Sequence, residues 1–244
     1  MHSICTDNHS VPTHPFLSLS TEIKFSVLNN TDIDEAVECL AESFSEAEPM
    51  THALNISVTE FSIFARYLCE KAINNSLSLV ARDKTNNKLI GCRISEPLIT
   101  KDDELPELSA KFFPIFALLK AVSAPLPIIP YPKKVAHFVT LAVNKHYQGR
   151  GLAKQLLALQ LHFLKRLGYD YFSAEFTSPR SYQAIKSILS SEIEYTHVIE
   201  YKNFIYNGHY PFANLTGQAI GCLSKIDLLK PDLAEWVNKQ QINL

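Results

Sequence analysis

The chain has 244 residues, of which 46% are hydrophobic and 20% charged, and a formal net charge of −2. This is an ordinary soluble globular composition; the charge gives no electrostatic ground for a nucleic-acid partner, and the length favours one well-packed domain over two small ones. The five cysteines, Cys5, Cys39, Cys69, Cys92 and Cys222, are far apart and never in a CxxC pair, which argues against a disulfide framework or zinc ribbon and for a reducing, cytoplasmic setting.

Residues 1–20 lack the basic and apolar regions of a secretory signal and read as a flexible polar tail. The irregular spacing of His2, His9 and His14 favours a solvated tail over a metal site. Folded structure is predicted from Ile23, where IKFSVL alternates as a strand. A helix follows to about Phe44, capped by Thr31 or Asp32, with Ile33, Ala36, Val37 and Leu40 on one face. A second helix, from about Ser57 to Asn74, places Phe61, Phe64, Ala65, Leu68 and Ala72 at helical spacing behind a Ser57 or Thr59 cap.

LSLVARD and KLIGCRISEPL, split by Lys84-Thr85-Asn86-Asn87, read as a hairpin. Residues 100–132 read as a proline-rich insertion holding a helix from Glu107 to Val122, which Pro114 interrupts or begins. The apolar run from Phe112 to Ile129 is broken by Lys120, Pro114, Pro125 and Pro127, short of the roughly 20 residues a membrane span needs. Then come a strand, KKVAHFVTLAV; a helix, GRGLAKQLLALQLHFLKRLG; a strand, YDYFSAEFT; and a helix, SPRSYQAIKSILS, opened by Ser178 with Pro179 in its first turn.

The chain returns to strand at EYTHVIEYKNFIY, turns at Asn207-Gly208, and closes with AIGCLSKIDL. Residues 231–244 form an extension with a short helix around Trp236. The order predicts an α+β, or mixed α/β, domain over residues 21–230.

The stretch HYQGRGLAKQLL, His146 to Leu157, lies between a strand and a helix. It is not a dinucleotide fingerprint, because the sixth position from Gly149 is Lys154, and not a P-loop, because Leu152 and Ala153 follow Gly151. What remains is a helix start presenting the backbone N–H groups of Gln148, Gly149, Arg150, Gly151, Leu152 and Ala153. Such a terminus suits a pyrophosphate, with Arg150 or Lys154 adding charge. A plain strand-to-helix turn that uses glycine for its dihedrals is an equal reading on spacing alone.

Gln148-x-x-Gly151-x-Ala153 after a strand ending LAV resembles the acetyl-CoA pyrophosphate loop of the GCN5-related N-acetyltransferase (GNAT) superfamily. EAEPMTHAL, Glu46 to Leu54, and EYKNFIYNGHYPF, Glu200 to Phe212, are similar to segments of the insect-type arylalkylamine N-acetyltransferases, and the insertion suits that group. The resemblance covers about residues 23–228. It implies a mostly antiparallel twisted sheet of six to seven strands with a splayed parallel pair, flanked by helices. The pantetheine arm would run along Leu141, Ala142 and Val143. Two features depart from the group: a late histidine has no counterpart near Gln218, and Ser178-Pro-Arg-Ser181 differs from many members.

Acetyl transfer to an amine needs a base, because an alkylamine is protonated at neutral pH. The resemblance assigns that role to Glu48, beside Pro49; by itself, a glutamate before proline reads as a solvated loop residue. His137 is a second candidate, with an ordinary pKa of about 6.5 and a place on the strand along which the thioester runs. Strand periodicity puts it on one face with Leu141, and Val139 with Val143. On its own it reads first as a buried, hydrogen-bonded structural histidine. Tyr182 is the nearest tyrosine for protonating the leaving thiolate, although Lys186 holds roughly the usual position. Ser178 and Ser181 are expected near the pantetheine and the acetyl sulphur, or serve only as helix-capping residues. Phe44, Phe61 and Phe64 either wall an aromatic pocket or belong to the core. Cys92 and Cys222 read as inert thiols, so transfer is expected to be direct.

The expectation is an acetyl-CoA-dependent N-acetyltransferase of a small primary amine, an arylalkylamine or similar, with no metal and neither nucleic acid nor membrane as partner, monomeric or homodimeric. A protein or peptide acetyltransferase and a silent acyl-CoA-binding module are the alternatives.

Overall fold

Among the described residues, seven strands form one sheet: β1 (Ile23–Val27), β2 (Leu79–Asp83), β3 (Leu89–Pro97), β4 (Val135–Val143), β5 (Tyr171–Phe176), β6 (Tyr195–Glu200) and β7 (Gln218–Lys225). The spatial order is β1-β2-β3-β4-β5-β7-β6, and only β4 and β5 pair in parallel. This is the predicted mixed α/β sheet. The computed structural model describes residues 22–98, 104–226 and 229–240. The expected tail, with His2, His9, His14 and Cys5, lies outside those residues.

The helices are α1 (Ile33–Ala47), α2 (Pro49–Ala53), α3 (Val58–Ile73), α4 (Phe113–Ser123), α5 (Leu152–Arg166), α6 (Pro179–Ile188) and α7 (Pro231–Asn238). They cover the sheet from both sides, and each side has its own core. Against one face, α5 packs Leu152, Leu156, Leu159 and Phe163, joined by Ile185 and Ile188 of α6 and by Leu233 and Trp236 of α7. Against the other, α1, α3 and α4 contribute Leu40, Phe61, Leu68, Leu118 and Val122. Burying apolar area on both faces is the main force holding the layers together, at about 25 cal/mol per Å². Among the described residues, no helix is long and apolar enough to cross a membrane.

Several local expectations are corrected. Asp32, one of the two expected residues, stands at the N-cap of the first helix, but its side chain makes no capping bond there. Asn29 instead caps a 3-10 turn at Asn30–Asp32 by accepting from the Thr31 N–H, and Asp32 answers by accepting from the Asn29 N–H at 3.0 Å. That frees Asp32 to hold Arg82 of β2 at 2.7 Å. Ser57 does cap α3, in a reciprocal box with Glu60. The insertion helix begins at Phe113 rather than Glu107, because Pro114 fits a first turn, where its missing N–H costs nothing. Asn207-Gly208 closes a two-residue turn between Tyr206 and His209 rather than a β6–β7 hairpin.

One glycine sets the site's geometry. A Cβ on Gly91 of β3 would lie 3.1 Å from the Ala142 carbonyl oxygen and 3.3 Å from the side chains of Leu152 and Leu156. Its absence lets the first turns of α5 press against the sheet beside the end of β4.

Candidate active site

The parallel pair β4–β5 does not stay paired. The rungs run from Val135–Tyr171 to Phe138–Ala174 and stop there, although β4 continues to Val143 and β5 to Phe176. On its other side β4 carries a bulge: Ile94 pairs with Thr140 and Ser95 with Phe138, leaving Val139 extra. Beyond Phe138 the two strands diverge, and Leu141, Ala142 and Val143 lie in the half of β4 that still pairs with β3 but no longer with β5.

The bulge corrects the facing of β4. An added residue reverses the alternation, so Leu141 and Val143 pack with the α5-side core, while Val139 packs with the α1-side core. His137 therefore does not share a face with Leu141, nor Val139 with Val143, as strict alternation predicts.

After β4, a 3-10 turn at Lys145–Tyr147 leads through extended Gln148 to Gly149 and Gly151, whose φ angles of 75° and 84° are left-handed and suit glycine. Helix α5 starts at Leu152. Among the described residues, the backbone N–H groups from Gln148 to Lys154 meet no protein acceptor, and the first intrahelical-type bond is from the Gln155 N–H to Gly151. No acidic side chain occupies the first turn. The Gln148 side chain is spent on the loop itself, donating from Nε2 to the Val143 carbonyl at 3.0 Å. Arg150 lies over the Tyr147 ring, 5.4 Å from its centroid, and Tyr147 donates to Asp83. With Lys154 one turn on, the loop offers clustered donors and two cations, and the first turn of α5 holds no acidic residue, an arrangement suited to a diphosphate.

Helix α6 begins beside the end of β5. Ser178 caps it by accepting from the Ser181 N–H at 3.2 Å, and the Ser181 hydroxyl donates to the Ser178 carbonyl at 2.9 Å. Tyr182 packs its ring on Phe176, centroids 5.6 Å apart, with the Lys186 ammonium 5.7 Å from the Tyr182 ring.

Glu48 caps α2, with Oε2 accepting from the Thr51 N–H at 2.6 Å. Its Oε1 is buried and has no hydrogen-bond partner. The neighbouring Tyr201 is buried, and its hydroxyl donates to the carbonyl of Thr177, the residue before Ser178. Burial raises the Tyr201 pKa, and the Glu48 charge adds to that rise. Glu48, Tyr201 and the start of α6 thus meet beside the divergence. Phe44, Phe61 and Phe64 form an aromatic cluster with Phe112 and Phe116; Phe61 and Phe112 are core, and half-buried Phe44 stacks on Phe61 at 4.9 Å.

His137 sits between two carboxylates. Its Nε2 is 2.8 Å from Glu175 and its Nδ1 3.5 Å from Glu96, which also pairs with Lys71 at 2.7 Å. Ser123 donates to the other oxygen of Glu175. Burial works against the imidazolium, but the two carboxylates outweigh it and push the His137 pKa up to about 10. An imidazolium has no lone pair to take a proton, so this arrangement does not favour His137 as a base at neutral pH. Sequence reasoning missed Glu96, Glu175, Lys71, Ser123 and Tyr201 as members of the site. The signal for Glu96 and Glu175 was a charge inside an otherwise apolar strand.

The family model described as "Acetyltransferase (GNAT) family" matches residues 40–187, more than half of the chain. The chain belongs to this family. GNAT proteins are acetyltransferases that use acetyl-CoA, and the described loop and strand divergence fit that donor. Solved structures share the fold. Arylalkylamine N-acetyltransferase 2 from Aedes aegypti matches with a TM-score of 0.71 at 18% identity, over 84% of this chain and 99% of that one. A mosquito arylalkylamine N-acetyltransferase-like 5b matches at 0.67 and 21%, over 83% and 99%. A Drosophila melanogaster polyamine N-acetyltransferase that forms N-acetylagmatine matches at 0.63 and 15%, over 84% and 100%. At these identities the likeness to the GNAT chain is one of fold. No curated protein sequence matches it.

Proposed function

We propose that this acetyltransferase moves the acetyl group of acetyl-CoA to a primary amine of a small molecule, an arylalkylamine or similar, by direct attack in a ternary complex. The observation that carries the reading is Glu48, which keeps one buried, unpartnered carboxylate oxygen and whose charge acts on Tyr201, the residue whose hydroxyl holds the Thr177 carbonyl just past the end of β5. The fold shared with arylalkylamine and polyamine acetyltransferases supports the choice of acceptor.

In this reading the diphosphate rests on the N–H groups of Gln148 to Ala153, flanked by Arg150 and Lys154. Gly149 and Gly151 keep side chains out of its way. The edge of Leu141, Ala142 and Val143 that faces away from β3, left open by β5, receives the pantetheine arm, and Ser178 and Ser181 fix the start of α6 beside it. The donor supplies an activated acyl carbon. Glu48 Oε1 takes the ammonium proton, so that the nitrogen lone pair becomes nucleophilic. Tyr182 is retained as the group nearest the leaving sulphur on α6, and His137 becomes a positioning residue that locks β3, β4 and β5 below the divergence. The catalytic domain is residues 21–230, with residues 231–244 as an extension. A cytoplasmic setting agrees with four buried free thiols, Cys39, Cys69, Cys92 and Cys222.

Calorimetry with acetyl-CoA, followed by a thiol-release assay over a panel of amines, tests the reading. Binding followed by amine-dependent thiol release is expected; binding with no turnover on any amine would leave a silent acyl-CoA module instead.

A further inference from the structure

We propose that Arg93, buried where β4 leaves β5, is the cation that receives the negative charge of the leaving thiolate. This deepens the reading of acetyl transfer at the strand divergence and rests on it.

Arg93 is 4% exposed, in the middle of β3 opposite Leu141. Its Nη1 donates to the Thr140 carbonyl at 3.0 Å, two residues past the last rung between β4 and β5. Its guanidinium carbon lies 4.2 Å from the centroid of Phe138, the β4 residue of that last rung. The head group is therefore at the apex of the divergence. The opposite edge of the fork, Nε and Nη2, is buried and has no hydrogen-bond partner. Among the described residues no carboxylate pairs with it, and burial alone presses its pKa down. The charges acting on it are the weak ones of the Cys222 and Cys92 thiols.

A guanidinium in the interior normally comes with a carboxylate, because an unpaired buried cation is costly. One carbonyl acceptor does not require a fixed charge; an amide side chain would serve. Two unspent, parallel N–H donors on a desolvated cation are what a transient anion needs, and such preorganised charge costs no reorganisation when the reaction occurs.

The faces of the sheet say which anion. Arg93 is two residues from Gly91, whose missing Cβ points at Leu152 and Leu156, so Arg93 lies on the α5 side. The phosphate-binding loop and α6 are on that side, which is where the sulphur-bearing arm of the donor enters. Glu48, with its neighbours Met50 and Tyr201, belongs to the α1 side. The amine nitrogen approaches from the Glu48 side and forms the C–N bond. The C–S bond breaks, and its electron pair leaves on sulphur toward Arg93. Glu48 takes one proton from the ammonium before attack, and the second, released from nitrogen as the amide forms, ends on the departing sulphur to give the free thiol; Arg93 stays protonated throughout and transfers nothing.

The test is a thiolate-absorbance titration of coenzyme A bound to the enzyme, with the desulpho-coenzyme A complex as blank, for the wild type, Arg93→Lys and Arg93→Met. The wild type is expected to titrate the bound thiol at least about one pH unit below free coenzyme A, a tenfold bias toward thiolate. Arg93→Lys should keep part of that bias and Arg93→Met none, while all three bind desulpho-coenzyme A equally. A wild-type thiol that titrates like free coenzyme A overturns the assignment even if Arg93→Met does not fold, and so does an unchanged midpoint in Arg93→Met. If the wild type acetylates amines but shows no bias, the role of Arg93 alone fails. If it binds neither coenzyme A nor its desulpho form, the acetyl-transfer reading fails, and this assignment with it.

Discussion

Nε2 of His137 on β4 lies 2.8 Å from Oε2 of Glu175 on β5, and the same ring faces Glu96 of β3 on its other side. Three adjacent strands are thus tied by one charged side chain just below the point where two of them separate. A pKa raised by folding contributes stability fully below the unfolded value, about 6.5 for histidine, and loses it as pH rises through the folded value. The wild type is therefore expected to lose thermal stability between about pH 7 and pH 10, whereas His137→Gln is destabilised by about 3 kcal/mol near neutrality and is flatter over that range. Glu96 and Glu175 have lowered pKa values, so their part is present at neutral pH and is lost on acidification. An imidazole NMR titration checks the premise: His137 should stay protonated through about pH 8, and a midpoint near 6.5 would refute it.

Glu48→Gln separates base catalysis from folding. Glutamine keeps an oxygen to accept from the Thr51 N–H, so the cap of α2 survives. We expect kcat/KM near neutral pH to fall by roughly 10²–10⁴, with the deficit narrowing at high pH, where the amine is already neutral. Thiol-release rates measure this; an unchanged rate with chemistry limiting would remove Glu48 as the base.

Tyr201→Phe removes the donor to the Thr177 carbonyl and loosens the join between β5, α6 and Glu48. A stability loss of about 1 kcal/mol is expected, with kcat down about fivefold, the cost of a similar misplacement in the barrier. Denaturant melts and steady-state kinetics read the two effects; wild-type values in both would mean that the hydroxyl positions nothing.

Two glycines should respond differently to alanine. Gly149 has φ of 75° and open space around an added Cβ, so Gly149→Ala pays only for the left-handed backbone, about 1 kcal/mol. A Cβ on Gly221 of β7 would sit 2.5 Å from the Val122 carbonyl oxygen of α4. Gly221→Ala must push α4 off the sheet, at about 2–3 kcal/mol. Denaturation midpoints in the reverse order would contradict this packing.

Much of the fold was legible because its signals are local: alternation in β1, the helical spacing of α3, the glycines before α5, and Ser178-Pro179 at the start of α6. The bulge at Val139 was not legible, since nothing in VAHFVTLAV marks which residue is skipped by a partner some forty positions earlier. With it went the facing of Leu141. Glu96, His137 and Glu175 are separated by about forty residues at each step and meet only through strand register. Arg93 is a lone charge in LIGCRIS that the sequence reading passed over, and its lack of a counter-ion is a property of the packed interior. The early start assigned to the insertion helix came from polar residues before Pro114 that helical pattern alone does not exclude.

The central claim is that the N–H groups opening α5 hold the donor's diphosphate while β4 and β5 part to admit its arm. A crystal structure with coenzyme A bound tests it directly. The diphosphate should lie against the amides of Gln148 to Ala153, with the sulphur at the apex beside Phe138; coenzyme A bound elsewhere, with those amides capped by protein, would contradict the account.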